Sequence, residues 1–291
     1  MIHMFSAEAT ESKRVDEQHR VAVAVAPNGG RRSKADHAAL PLTTTELAAA
    51  ASACADAGAA MIHVHVRDGQ GRHVLDADAY REATSAIRAA VGNRLVVQIT
   101  SESLGLYSPE AQMAVIREAR PQAVSMALRE LVPDSGTEAA FSGFMQWLHA
   151  ERAAPQIILY SPEEAVRLAD LRRRGLLGAE DVPVLFVLGR YAPGQTSVPA
   201  DLLPFLAPPV PKYRHWSVCA FGRHELACVV AAALLGGHVR VGFENNLLLP
   251  DGTLAGSNAD LVAQVVKTLH ACGARTADAA DLAADWNART R

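Results

Sequence analysis

The chain has 291 residues, with 28 Lys and Arg against 31 Asp and Glu and a formal net charge of −3. A balance so near neutral argues against a polyanion-binding surface, and so against nucleic acid as a partner. Hydrophobic residues make up 49% of the chain and aromatic ones only 5%, which suits helices packed closely on a sheet and disfavours stacking platforms or a β-sandwich core.

Residues 1–20, MIHMFSAEATESKRVDEQHR, mix charges and hold no apolar stretch of the signal-peptide kind. They read as a flexible leader on a protein that stays in the cytoplasm. From Val21 onward, short β-branched runs alternate with alanine-rich helical stretches. The runs are Val21–Ala26, Met61–Val66, Leu95–Thr100, Ala123–Met126, Gln156–Leu159, Val184–Leu188, Trp216–Ala220 and Val239–Phe243.

Thr43-x-x-Glu46 reads as a capping box opening the first helix, with Gly58 marking its end, and Asp76 and Ser161 read as N-caps of two more. The apolar stretch Ala48–Ala60 is broken by Ser52, Asp56 and Gly58 and falls short of the roughly 20 strongly apolar residues of a membrane span. No membrane partner is expected. Pro193 to Pro211 is the densest proline region and reads as a long loop with one short helix over Pro199–Phe205, and Gly236-Gly237 closes the helix before the last run.

Eight βα units repeat about every 30 residues with no linker between them, which predicts a single-domain α/β fold, the (β/α)8 TIM barrel. It spans residues 21–291 and ends in a C-terminal helical extension. No G-x-G-x-x-G turn follows the first run, which weighs against an open doubly wound sheet. Cys54, Cys219, Cys228 and Cys272 form no C-x-x-C pair and are expected to be reduced, buried thiols.

Several strand-like runs carry polar residues. Side chains alternate along a strand, so His63 and His65 project from one face, the barrel interior. Two imidazoles near a strand's C-terminal end suit a divalent metal, although two core histidines bonded to carbonyls would show the same spacing. In the last run Arg240, Gly242 and Glu244 share a face, with Glu244 nearest the C-terminal mouth, where barrel enzymes gather their ligand and catalytic groups. Arg240 on a buried face calls for an anionic partner or substrate. Gln98, Thr100 and Ser125 add hydroxyl and amide groups, and together these residues sketch a polar pocket at one barrel end.

The segment Ala26-Pro27-Asn28-Gly29-Gly30-Arg31-Arg32-Ser33-Lys34-Ala35-Asp36-His37 precedes H-V-H-V-R-D, Gln98-Ile99-Thr100-Ser101 and G-G-H-V-R-V-G-F-E-N-N. With Gly256-Ser257-Asn258-Ala259-Asp260-Leu261-Val262, these stretches resemble the β-keto acid cleavage enzymes from about Val21 to Leu269. The resemblance implies a barrel carrying Zn2+ or a similar divalent metal on His63, His65 and Glu244, assembled as a homotetramer. It implies an acyl-CoA-forming C-acetyltransferase that converts a 3-oxo acid and acetyl-CoA into acetoacetate and a new acyl-CoA. The family's arginine falls on Arg240 and its two hydroxyl positions on Thr100 and Ser125.

Three positions depart from the founding 3-keto-5-aminohexanoate cleavage enzyme. Asn245 stands where that enzyme has a carboxylate assigned to substrate deprotonation, and Arg31 and Ile158 stand where acidic residues meet the substrate's amino group. A neutral or anionic 3-oxo acid is therefore expected, with Ile158 forming an apolar wall and Arg31 either pairing with a second carboxylate or pointing to solvent or a neighbouring subunit. The loops Gly189–Thr196 and Gly222–Arg223 carry small and basic residues suited to coenzyme A phosphates. Two other readings fit some of the same residues. One is a zinc-dependent hydrolase of amidohydrolase type, for which His215 and His224 flank the seventh run. The other is a non-catalytic ligand-binding barrel, suggested by Asn245.

Overall fold

The computed structural model of the protein describes residues 20–179 and 181–286; the expected leader, apart from Arg20, lies outside them. Eight parallel strands close on themselves: β1 (Arg20–Val25), β2 (Met61–Val64), β3 (Val96–Thr100), β4 (Ala123–Ala127), β5 (Ala154–Leu159), β6 (Val184–Leu188), β7 (Trp216–Ala220) and β8 (His238–Val241). Closure is made by β1, which pairs with β2 through Ala24 and Met61 and with β8 through Ala24 and Arg240. Helices α1 (Thr44–Asp56), α2 (Ala77–Val91) and α3 (Pro109–Ala119) follow the first three strands. After β4 come α4 (Leu128–Leu131) and α5 (Glu138–Ala150), then α6 (Pro162–Arg173), α7 (Leu203–Leu206), α8 (Glu225–Leu234) and α9 (Asn258–Ala271). The fold is a single-domain (β/α)8 barrel.

Alternation along the strands sorts the side chains. Val21, Val23 and Val25 of β1 pack outward with Ile62, Val64, Val97 and Ile99 against the helices, in the main core. Ala22 and Ala24 face inward with Met61, Val96, Ala123 and Ala154 and form an apolar floor. The helices start where local chemistry dictates. Thr43 and Glu46 cap α1 reciprocally, and the side chains of Asp76 and Ser161 accept from the backbone N–H groups of Ala79 and Glu164.

Two expectations are corrected. The last strand stops at Val241 rather than Phe243, because Gly242 turns the chain at φ +135°, where a Cβ would lie 2.4 Å from the Ala26 carbonyl oxygen. Cys272, expected to be buried, is exposed at the end of α9, while the other three thiols are buried.

After α9 the chain adds β9 (Arg275–Ala277), paired with β1, and α10 (Ala279–Asp285). Leu282, Ala283 and Trp286 cap the apolar floor. Asp285 anchors this plug, accepting a 2.8 Å hydrogen bond from Nδ1 of His215 and lying 3.6 Å from Nε2 of His238. The Ala22 N–H donates to Nδ1 of His238, so the proton of that ring sits on the nitrogen facing Asp285. Burial opposes the charge on Asp285, but the two histidines outweigh it and hold its carboxyl well below the ordinary aspartate range.

A depressed folded-state pKa means that the ionised carboxylate contributes stability at neutral pH and that this contribution is lost as pH falls below the ordinary value of 3.8. Asp285→Asn should therefore lower the melting temperature at pH 7, and its deficit against wild type should shrink as thermal melts are repeated toward pH 3. A deficit independent of pH would show that the plug does not depend on this charge.

Candidate active site

At the C-terminal mouth of the barrel, three ligating atoms meet. Nε2 of His63 lies 3.2 Å from Nε2 of His65, and each lies 3.5 Å from Oε2 of Glu244. Both histidines are buried, and Oε2 of Glu244 has no hydrogen-bond partner among the described residues. A tetrahedral ion bound at about 2.0–2.2 Å sets its ligands about 3.3–3.6 Å apart, close to these separations. Among the described residues this is the one cluster of three such groups able to hold a metal ion.

Hydrogen bonds outside the triangle decide which ring nitrogens carry protons. Nδ1 of His63 lies 2.8 Å from Oε1 of Gln98, which can only accept, so that nitrogen is the donor. The chain continues from Gln98 Nε2 to Gln156 Oε1 at 3.1 Å and from Gln156 Nε2 to Ser217 Oγ at 3.3 Å. On the other side, Nε2 of His73 donates to the Glu102 carbonyl at 2.7 Å, leaving its Nδ1 as an acceptor facing Nδ1 of His65 at 3.5 Å. Burial pushes His73 down to about 4, so it stays neutral and keeps that lone pair. His63 therefore directs an unprotonated Nε2 into the triangle. His63 is pushed down to about 3, first by burial and then by Arg240. Burial disfavours the charge on Glu244, yet Arg240 and His63 hold its carboxyl well below the usual range.

The backbone that carries these groups is clamped. Asn28 bonds the backbone of His65 on both sides, donating to its carbonyl at 2.8 Å and accepting from its N–H at 3.3 Å. Arg67 donates to the carbonyls of Gly29, Arg32 and Gly71 and so pins the loop after β1. Gly29, at φ +59°, lets that loop lie against Glu244; a Cβ there would come within 2.6 Å of its Cγ. Because β8 ends early, Glu244 arrives on a turn and not by strand alternation. That turn is held by Asn258, which accepts from Phe243 N–H at 2.8 Å, and by Glu225, which accepts from Gly242 N–H at 3.2 Å. Burial pushes Glu225 up to about 8.

A small pocket opens beside the triangle. Of the residues singled out in the sequence, His63, His65, Thr100, Ile158, Arg240 and Glu244 line it. Arg240 donates to Oε1 of Glu244 at 3.0 Å and to Sγ of Cys219 at 3.3 Å, while its Nε and Nη1 are buried without partners among the described residues. Thr100 Oγ1 accepts from Glu102 N–H at 3.0 Å. Ser125 lies outside the lining, 3.4 Å from Nδ1 of His63. Asn245 is also outside it, with both side-chain polar atoms buried and unpartnered.

Arg31, expected in the pocket, is exposed and absent from its lining. Its neighbour Arg32 instead lies within electrostatic reach of Glu225, Glu244 and Arg190. Sequence reasoning assigned no role to Glu102, Tyr160, Val187 and Phe221, and placed Arg190 within a loop expected to meet coenzyme A phosphates; all five line the pocket. Each lies on or just past the C-terminal end of a strand, and for the first four that position was the only available signal. His215 pairs with Asp285 beside the floor and His224 is exposed, so neither joins the triangle.

The model of the beta-keto acid cleavage enzyme family matches residues 20–284. The chain belongs to this family. It is 27% identical to the 3-keto-5-aminohexanoate cleavage enzyme of Fusobacterium nucleatum over 82% of this chain and 87% of that one. It is 30% identical to the 3-dehydrocarnitine:acetyl-CoA trimethylamine transferase of Rhizobium meliloti, over 88% of this chain and 91% of the relative. The solved complex of ObcA with oxaloacetate superposes with a TM-score of 0.68 at 16% identity, covering 86% of this chain and 68% of that one, and so shares the fold. Family membership displaces the hydrolase and non-catalytic readings.

Replacing both His63 and His65 by alanine should abolish stoichiometric binding of a divalent ion. Gly29→Ala, which pushes on Glu244 without removing a ligand, should weaken metal affinity about 10- to 100-fold while the far-ultraviolet circular dichroism spectrum is kept. Titration with a chromophoric chelator reads both effects, and wild-type affinity in either variant would contradict the triangle as a metal centre.

Proposed function

We propose that this enzyme is a zinc-dependent β-keto acid cleavage enzyme that condenses a 3-oxo acid with acetyl-CoA and releases acetoacetate and a new acyl-CoA. The observation that carries this reading is the triangle of His65 Nε2, unprotonated His63 Nε2 and unpartnered Glu244 Oε2 beside the free donors of Arg240. Two imidazoles and a carboxylate are a donor set that suits Zn2+. When bound, such an ion supplies positive charge that favours loss of the C2 proton of a 3-oxo acid.

The carbanion at C2 attacks the acetyl carbonyl carbon, a carbon–carbon bond forms, and the thiolate of coenzyme A leaves. That thiolate adds to the former ketone carbon, the C2–C3 bond breaks, and protonation of the departing carbon completes acetoacetate. Nε and Nη1 of Arg240, buried without partners, hold the substrate carboxylate. The Thr100 hydroxyl accepts from Glu102 N–H, which leaves its own proton to donate to the oxyanion of the addition steps. Ser125, against Nδ1 of His63, positions that ring. Asn245 cannot act as a carboxylate base, and its unpartnered amide fixes the water through which the C2 proton leaves.

The body of coenzyme A runs along the loops at 189–196 and 222–223, outside the pocket that takes the acid. We further infer a homotetramer working in the cytoplasm. The family resemblance supports the assembly, as do the exposed apolar side chains of Val198, Leu203, Leu206, Leu234 and Leu235. Among the described residues no helix is long and apolar enough to cross a membrane.

With acetyl-CoA labelled in its acetyl group, label should appear in acetoacetate and the new acyl-CoA should be unlabelled when products are separated by mass. Labelled acetate with free acid as the only products would replace this reading by hydrolysis. Arg240→Met should lower kcat/KM about 100-fold or more.

A further inference from the structure

We propose that Arg190 is a specificity-determining residue that selects 3-oxo acids bearing a second carboxylate at the far end of the chain. This rests on the function proposed above and names the substrate class of the same pocket.

Arg190 follows Gly189 at the C-terminal end of β6. Gly189, at φ +78°, could not carry a Cβ, which would fall 2.6 Å from the Thr196 carbonyl oxygen, so the loop folds back tightly here. The Arg190 side chain is only 13% exposed, and its guanidinium lies 5.0 Å from the ring centroid of buried Phe221. Its counter-charge is Glu102, at 3.9 Å, too long for a hydrogen bond, and the guanidinium makes no hydrogen bond among the described residues. A guanidinium so enclosed, with its planar set of donors unused, fits a bidentate carboxylate.

The rest of the pocket sets the length and charge of the ligand. Arg240 is the deep cation beside the triangle, with two unpartnered nitrogens. Arg190 is the second cation lining the same pocket, and Ile158, Val187 and Phe221 supply apolar wall. One carboxylate at the deep end, a short methylene chain along the wall and a second carboxylate at Arg190 satisfy all three. An ammonium group in that second position would meet one carboxylate, Glu102, beside an arginine. Arg31, where the sequence pointed, is exposed and absent from the lining.

The test compares 3-oxoadipate, 3-oxohexanoate and 3-keto-5-aminohexanoate as competing substrates of the metal-loaded enzyme with acetyl-CoA. Wild type should favour 3-oxoadipate by about tenfold or more in kcat/KM over each of the others. Arg190→Gln should collapse the ratio of 3-oxoadipate to 3-oxohexanoate by a similar factor, through KM for the acid, with KM for acetyl-CoA retained. A preference for the ammonium-bearing or uncharged acid, or an Arg190→Gln effect that falls on acetyl-CoA, would overturn the assignment. If none of the acids is turned over, the proposed reaction fails on its own. Calorimetry with 3-oxoadipate then still decides the inference: tighter binding to wild type than to Arg190→Gln upholds it, and equal binding overturns it.

Discussion

The constraint on which the site depends is electrostatic. Three potential ligand atoms, Nε2 of His63, Nε2 of His65 and Oε2 of Glu244, sit 3.2–3.5 Å apart at a buried site. Crowding donors and a carboxylate there is costly, since a buried polar group without adequate partners carries a desolvation cost of about 1–3 kcal/mol or more. The fold holds them there anyway. Gln98 draws the ring proton of His63 outward, Asn28 fixes the His65 backbone, and Glu225 and Asn258 fix the turn bearing Glu244. An arrangement that many hydrogen bonds hold against that cost is one prepared for a cation.

Such a site is sustainable because stability is generated elsewhere. The main core lies between the strands and the helices, where valine, isoleucine and leucine side chains are buried. The barrel interior is sorted by depth. Its floor is alanine-rich and sealed by Leu282, Ala283 and Trp286, and its middle layer is the satisfied ladder Gln98–Gln156–Ser217. Among the described residues, buried polar atoms without partners include Nε and Nη1 of Arg240, Oε2 of Glu244 and both amide atoms of Asn245 at the mouth, and Tyr80 OH, Gln112 Oε1 and Trp286 Nε1 away from it. The group gathered at the mouth marks where a ligand completes the structure.

Charge at the mouth is divided with depth. Arg240 is tied to Glu244, and Arg190 faces Glu102 loosely. An apolar wall of Ile158, Val187 and Phe221 and a second arginine line the pocket. His63 and Arg240 lie within β2 and β8, whereas His65, Glu102, Arg190 and Glu244 follow the ends of their strands, the region where barrels vary their chemistry.

The repeating barrel rhythm, the capped helices and the inward pair His63 and His65 were legible in the sequence, because a period of two on strands and capping motifs on helices are local properties. Arg240 and Glu244 were legible through the same alternation, although Glu244 reaches the site by a turn that the alternation did not describe. What only the tertiary structure decided is which loop residues face the pocket. Arg31 and Arg190 are both arginines shortly after a strand, yet one is exposed and the other is enclosed against Phe221 and Glu102. The proton position on His63 was equally hidden, since Gln98, 35 residues away along the chain, sets it. Loop direction and tautomer depend on contacts between distant segments, and a linear pattern records neither.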